Sequence, residues 1–289
     1  MIRLRAFDAV VAEGGIGAAA RALGVSQPTV SAQLASLERE HGVRLVDRAT
    51  GAPTALGARL REITGPMAAL ERSARDLLAR SAGSGDGVLR AAADAPAHLM
   101  PILSALRVEI PEVAVELRAM NSSASVRAVQ AGEVDLAVAA EVPADPSLHR
   151  LPLQRQDLAA VVRIDHPRAG AKTLPLSALA GEEVIGREEG SLTRAVLERA
   201  AAAQGLVLRS SVVADDRETM LAAVIAGFGI GVVAEHEMID DPRIVMLDLR
   251  DPAVSLTEHL VCAAHRRDEP MLRAAFAAAQ AGTRGDLRR

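Results

Sequence analysis

The stretch Ile16-Gly17-Ala18-Ala19-Ala20-Arg21-Ala22-Leu23-Gly24-Val25-Ser26-Gln27-Pro28-Thr29-Val30-Ser31-Ala32-Gln33-Leu34-Ala35-Ser36-Leu37-Glu38 reads as two short helices with a tight turn between them. Ala19, Ala20 and Leu23 put small apolar groups on one face of the first helix. Gly24 supplies the positive φ that stops it. Ser26 can cap the second helix, and Pro28 sits in its first turn, where no amide hydrogen is missed. Val30, Leu34 and Leu37 recur at i, i+4, i+7 and form the buried stripe of that helix. Its other face offers Gln27, Thr29, Ser31 and Gln33, polar side chains able to reach base edges in a major groove.

Working outward, Leu4, Phe7, Val10 and Val11 have helical spacing over residues 2–12 and close a small core. Gly42 ends the second motif helix. Residues 43–48 and 50–54 then read as a two-stranded wing with a Gly-containing turn. Its Arg48 suits a DNA contact, with a surface ion pair as the alternative. From residue 57 a long helix begins. Leu60, Ile63, Met67, Leu70, Ala74 and Leu77 are spaced 3, 4, 3, 4, 3, a heptad seam that needs a partner, either a second chain or the chain's own body. Gly65-Pro66 within it predicts a kink near 61–66. The run 81–87 (Ser-Ala-Gly-Ser-Gly-Asp-Gly) reads as a flexible hinge.

Composition bounds the rest. The chain has 289 residues, enough for about two domains. No apolar run approaches the roughly 20 residues of a membrane span, and the N-terminus lacks signal-peptide order, so a cytoplasmic location is expected. Cys262 is the only cysteine and lies in an apolar run, which excludes a disulfide framework and a cysteine zinc site. The seven histidines lack metal-ligand spacing, and no metal or cofactor is expected. Trp and Tyr are absent, which disfavours stacking on single-stranded bases. Net charge is −4, yet residues 1–87 are mildly basic and the remainder acidic.

After residue 87 strand and helix signals alternate, which predicts mostly parallel sheets covered on both faces. Expected strands are 88–93, 113–119, 134–140, 157–163, 183–186, 210–214, 230–233, 243–249 and 257–263. Expected helices are 97–109, 123–131, 192–204, 217–226 and 269–280. Ligands of such sheets bind beyond the carboxyl ends of strands, where helices begin. Four such corners are 93–98, 120–123, 188–194 and 214–217. Helix capping by Asn121, Ser122, Ser191 or Asp216 is the plain alternative at each. Gly227-Phe228-Gly229-Ile230-Gly231 lies between helix and strand, the wrong order for a dinucleotide loop, and reads as a helix cap and turn. No nucleophile-base pair or metal set supports an enzyme.

The run Ala-Ala-Arg-Ala-Leu-Gly-Val-Ser-Gln-Pro-Thr-Val-Ser, followed by Leu-x-x-Leu-Glu and by Gly42-Val43-x-Leu45-x-x-Arg48, resembles the LysR-type transcriptional regulators. The resemblance spans the chain. It implies an α/β fold class with an N-terminal all-α winged helix-turn-helix over 1–58, a linker and dimerisation helix over 59–82 and a hinge over 83–87. A two-lobed, periplasmic-binding-protein-like effector domain would cover 88–285. Lobe one would comprise 88–161 and 265–289, and lobe two 162–264, with two crossing strands between them. It further implies a homodimer or homotetramer on double-stranded promoter DNA with an inverted repeat, a small-molecule inducer, RNA polymerase as a further partner, and no membrane.

The DNA-binding residues would be Ser26, Gln27, Pro28, Thr29, Ser31, Gln33 and Arg48. Ala32 departs from the family pattern, which carries Arg there, and leaves one usual contact in doubt. The effector-binding residues would be Asp94, Ala95, Asn121, Ser122, Glu141, Ser191, Thr193, Arg194 and Asp216. Residues 92–101, Asn121-Ser122 and Glu258-His259-Leu260-Val261-Cys262 also resemble the subgroup found with 2-aminoethylphosphonate catabolism. In that reading the phosphonate meets Ser191, Thr193 and Arg194, and the ammonium meets Asp94 or Glu141. A plain carboxylate, sulfate or an amino acid are the rival inducers. A solute-binding protein without DNA function is the alternative for the whole chain. The residues before 82 and the missing signal peptide argue against it.

Overall fold

The computed structural model describes residues 2–47, 50–81, 88–237, 240–251 and 253–286. The chain divides into two compact units. One holds residues 1–90 with 112–114 and 127–135, and the other holds the remainder.

In the first unit, α1 (Ile2–Ala12), α2 (Ile16–Leu23) and α3 (Gln27–His41) pack around Phe7, Val10, Ala19, Ala20, Val30, Leu34 and Leu37. Burying a side chain of the Val, Leu or Phe class contributes about 2 kcal/mol, so a few of them hold so small a head together. Gly24 (φ 66°) and Gly42 (φ 63°) end α2 and α3 in the left-handed conformation. After each, the next amide reaches back five residues: Val25 N to Ala20 O at 3.0 Å, and Val43 N to Glu38 O at 3.0 Å. Among the described residues the expected two-stranded wing shows one antiparallel bridge, Val46 to Pro53, flanked by backbone bonds from Asp47 N to Ala52 O (2.8 Å) and Thr54 N to Leu45 O (2.9 Å). Glu38 supplies what the short ladder lacks, accepting the amides of Leu45 (2.8 Å) and Val46 (3.3 Å). Arg48 and the hinge 83–87 lie outside the described residues.

The linker helix α4 (Ala55–Ser81) runs unbroken through Pro66. Thr54 caps its start, accepting the Gly57 amide at 3.1 Å. Leu60 departs from the expected seam and packs on the head's core. Ile63, Met67, Leu70 and Ala74 are exposed.

From Val88 onward the chain order is β1 (Val88–Ala93), α5 (Pro96–Glu109), β2 (Ala114–Ala119), α6 (Ser122–Gln130), β3 (Leu136–Ala140) and β4 (Leu148–Arg163). There follow β5 (Thr173–Pro175), β6 (Gly186–Arg187), α7 (Leu192–Ala203), β7 (Val213–Ala214), α8 (Arg217–Ile225), β8 (Gly231–Ala234), β9 (Ile244–Arg250), β10 (Ser255–Ala263) and α9 (Pro270–Asp286). The main sheet orders as β2-β1-β3-β10-β4-β9-β5, with β8 also on β4.

The strand expected at 157–163 begins nine residues earlier and spans both lobes. Its first part pairs antiparallel with β10, and its last part pairs antiparallel with β8 and β9. The expectation of mostly parallel pairing is therefore corrected. β1–β3, β5–β9 and β6–β7 run parallel, but the pairs that β4 and β10 make with β3, β8, β9 and each other are antiparallel, because the chain leaves lobe one along β4 and returns along β10. The short β5 was not anticipated. The strands expected at 183–186 and 210–214 shrink to β6 and β7, a separate two-stranded pair.

Candidate functional site

On the head, the exposed side of α3 presents Ser26, Gln27, Pro28, Thr29 and Ser31, with Gln33 half-buried. Ser26 caps α3 through the Thr29 amide (3.4 Å), and its hydroxyl lies 2.8 Å from the Thr29 hydroxyl. One rotor of Thr29 is thus engaged in the cap. Ser31 and Gln33 have no such local partner, so their polar groups are open to an outside ligand.

In the second unit, buried charge converges where the lobes meet. Arg187 ends β6, and its side chain is 4% exposed. It binds Glu188 through Nε (2.8 Å) and Nη2 (3.2 Å), and Nη2 lies 3.5 Å from Asp94, just past the end of β1. Arg217 opens α8 behind its cap residue Asp216. Its Nη2 binds Glu218 (3.1 Å), and its Nη1 lies 3.3 Å from Glu237. Nε and Nη1 of Arg217 are buried, yet neither makes a hydrogen bond among the described residues.

Carboxyls surround these cations. Burial, then repulsion from Asp94, pushes Glu237 up to about 7 although Arg217 opposes the shift. Burial raises Asp94 above the usual carboxylate range against the pull of Arg187 and Arg217. Glu258 on β10 is pushed up to about 8 by burial and by Glu237, Asp94 and Glu141.

His98, in the first turns of α5, closes the floor. Its Nδ1 lies 3.1 Å from the Gln154 amide nitrogen and its Nε2 lies 3.2 Å from that of Gln156. Gln156 is oriented by its own oxygen, which accepts the His236 amide (3.2 Å). Its NH2 therefore donates to His98 Nε2, which must be unprotonated, so the ring is neutral. Burial, His236 and Arg217 depress His98 to about 4.

Residues 1–58 match the bacterial regulatory helix-turn-helix protein, lysR family, and residues 82–284 match the LysR substrate binding domain. The chain belongs to the LysR family. The RuBisCO operon transcriptional regulator of Allochromatium vinosum is 30% identical over 86% of this chain and 84% of its own length. The HTH-type transcriptional regulator CbbR of Sinorhizobium medicae (strain WSM419) is 30% identical over 94% and 90%. The crystal structure of CbnR, a LysR family transcriptional regulator, superposes with a TM-score of 0.67 at 24% identity over 98% of both chains. This LysR-family chain is a DNA-binding transcriptional regulator with an effector domain, not an enzyme. No helix among the described residues is long and apolar enough to cross a membrane.

The corner residues expected to hold the effector are mostly engaged within the protein. Asn121 caps α6 through the Ala124 amide (3.0 Å) and donates to Glu188 (3.2 Å) and the Glu189 carbonyl (3.2 Å), tying lobe one to lobe two. Ser122 is buried and accepts the Ala140 amide (2.9 Å). Ala95 is buried ahead of α5. Ser191 and Asp216 cap α7 and α8. Thr193 is buried beside Val184, Ile185 and Leu197. Arg194 binds the Arg187 carbonyl (2.8 Å) and Glu198 (2.7 Å). Glu141, at φ 49°, accepts the Thr257 amide (2.6 Å). Asp94 is the member of the set that forms an ion pair with a buried arginine, Arg187.

Arg187, Arg217, Glu237, Glu258 and His98 were not among the expected ligands. Two local signals point to Arg217 and Glu258. An arginine directly after the cap Asp216 sits at the positive end of a helix dipole, a placement that asks for an anion. Leu256, Glu258 and Leu260 alternate on one strand face, which puts an acid where an apolar residue is due.

Proposed function

We propose that this regulator works as a dimer that sets two recognition helices on an inverted repeat and responds to a small effector whose anionic group seats on Arg187 and Arg217. The observation that carries the reading is the Arg217 guanidinium, buried with two nitrogens lacking hydrogen bonds among the described residues. Buried polar groups are normally satisfied, and a guanidinium fork fits a carboxylate, sulfate or phosphonate. With no Trp or Tyr in the chain, an aromatic effector has little to stack on. A phosphonate with an ammonium end, 2-aminoethylphosphonate, fits this pattern, because Asp94 stands 3.5 Å from Arg187 and offers the opposite charge. Within this reading the target operon is a catabolic one, and the promoter-bound dimer or tetramer contacts RNA polymerase.

Calorimetric titration with 2-aminoethylphosphonate, ethylphosphonate, glutamate and sulfate tests the effector. Gel shift on the chain's own promoter, with and without the binder, tests the response. Binding of a phosphonate that is lost in Arg217→Met supports the site. Binding unaffected by that change, or glutamate bound with no heat from either phosphonate, ends the phosphonate reading. No affinity for promoter DNA at low salt would sink the whole proposal.

A further inference from the structure

Glu258 lies on β10, the strand by which the chain returns from lobe two to lobe one. It pairs with Gln154 across the ladder, and the register shifts at the next residue. Directly paired residues share a sheet face, so Glu258 stands on the side where Gln154 meets His98. The residue is 4% exposed. Among the described residues its carboxyl has no hydrogen-bond donor and no cation. The charges that act on it come from Glu237, Asp94 and Glu141, all acidic. The two buried arginines serve other acids: Arg187 reaches Glu188 and Asp94, and Arg217 reaches Glu218 and Glu237.

A buried carboxylate without a partner costs several kcal/mol, and a proton is the simplest remedy. The cleft therefore holds a buried cation, Arg217, that lacks a full set of acceptors and a buried acid that lacks any donor among the described residues. One molecule with both charges answers both needs.

We propose that Glu258, with Glu237 beside it, is a proton-exchanging seat for the cationic group of a zwitterionic effector, the ammonium displacing a proton that leaves Glu258 for solvent. This rests on the reading of the cleft as the effector site and adds to it the charge class of the ligand and the sign of its pH dependence.

The groups facing the seat agree with that sign. Lobe one contributes Asp94, Glu141 and His98, the last held neutral. Lobe two contributes Glu237, on which Arg217 and the Glu188-bound Arg187 act in turn. The crossing strands contribute the uncharged Gln154 and Gln156. Below pH 8 the free protein carries the proton that the ammonium must expel, so affinity for a zwitterion rises with pH. A plain anion on the same arginines brings no cation, and it favours the protonated acids. Its affinity follows the opposite course.

The test is calorimetric titration of the full-length protein with 2-aminoethylphosphonate and ethylphosphonate from pH 6.5 to 8.5, in buffers of different ionisation enthalpy. Wild type, Glu258→Gln and Glu237→Gln are compared at each pH, which cancels the ionisation of the phosphonate itself. For the amino compound, the affinity ratio of wild type to Glu258→Gln is expected to rise about tenfold per pH unit and to level off near pH 8. Wild type should release a proton to the buffer, and Glu258→Gln should release less. A flat ratio, or equal tightness of the two phosphonates, overturns the seat while leaving the anion site standing. No binding of either compound at any pH overturns both. Ligand-free promoter affinity reports whether each variant is folded. Should Glu258→Gln fail to fold, proton release from wild type and its reduction in Glu237→Gln decide: its presence supports the seat, and its absence overturns it.

Discussion

Arg217 Nη1 lies 3.3 Å from Glu237 Oε2, both side chains are less than one-tenth exposed, and the contact is a charge pairing without a hydrogen bond. A buried pair so aligned gains less from attraction than it loses in hydration unless further partners arrive. The arginine is thus held ready by a carboxyl that does not saturate it.

Replacing Arg217 by Met should separate binding from folding. Charged hydrogen bonds contribute about 1.5–3 kcal/mol each, so effector affinity should fall by roughly tenfold to a hundredfold or more. Arg217→Lys keeps the charge but loses the fork and should fall between. Calorimetry with 2-aminoethylphosphonate reads the loss, and promoter affinity without effector should hold.

The same cluster sets a pH dependence of stability. Glu237 and Glu258 rise from an ordinary 4.5 to about 7 and about 8 in the folded chain. Between those limits the folded state binds more protons than the unfolded one, so stability falls as pH rises. The slope is about 1.4 kcal/mol per pH unit for each fully displaced proton, and it ends once the folded values are passed. Thermal melts of ligand-free protein should drop from pH 5 to pH 8, and Glu258→Gln should flatten part of that drop. A wild-type and variant pair with parallel profiles would contradict the burial of a titrating Glu258.

Gly57 is fixed by a contact rather than by its backbone angles. A Cβ built there would come within 2.0 Å of the Leu45 carbonyl oxygen. That oxygen belongs to backbone and cannot swing aside. Gly57→Ala should force the linker helix off the wing and destabilise the head by about 2 kcal/mol or more. Loss of promoter binding, with effector binding intact, is the expected pattern.

The head was legible because its signals are local. Caps at Ser26 and Gly24, the stripe Val30-Leu34-Leu37 and the proline of the first turn act within a few residues of each other, and each survives in the structure. The cleft was not, because its members are scattered from Asp94 to Glu258 and meet only through the crossing of β4 and β10. Asn121, Ser191 and Asp216 lie at strand-to-helix corners, yet the helix ends there claimed their side chains. The exposed apolar face of α4 was readable in outline, but Leu60 turned inward because the head offered a closer core.

Glu38 tests how the head holds its wing. One carboxylate oxygen accepts both the Leu45 and Val46 amides, where the ladder shows one bridge among the described residues. Glu38→Ala strands those two donors at a cost of about 1–3 kcal/mol. Because the wing meets the backbone rather than base edges in this reading, affinity should fall on promoter and random DNA alike. By contrast, Gln33→Ala should cost about 1–3 kcal/mol on the promoter with little change on random DNA. Equal losses for both variants on both DNAs would remove the division between wing and recognition helix.

Ile63, Met67 and Leu70 are 63%, 43% and 51% exposed on consecutive turns of α4, with Ala74 exposed beyond them. Their spacing of four, three and four keeps them on one side of the helix, and an isolated helix gains nothing from showing that side to water. A second copy of the same helix covers it with matching spacing, and two-fold symmetry then repeats every contact. Leu70→Asp places a charge in that seam twice. An uncompensated buried charge costs about 3 kcal/mol or more, so the dimer constant should weaken at least a hundredfold. Sedimentation should show monomers at micromolar protein, and footprinting should lose protection of one half-site. Leu70→Met keeps the volume and should leave the dimer intact. A dimer that survives Leu70→Asp unchanged would mean that the exposed stripe is covered by something other than its own copy.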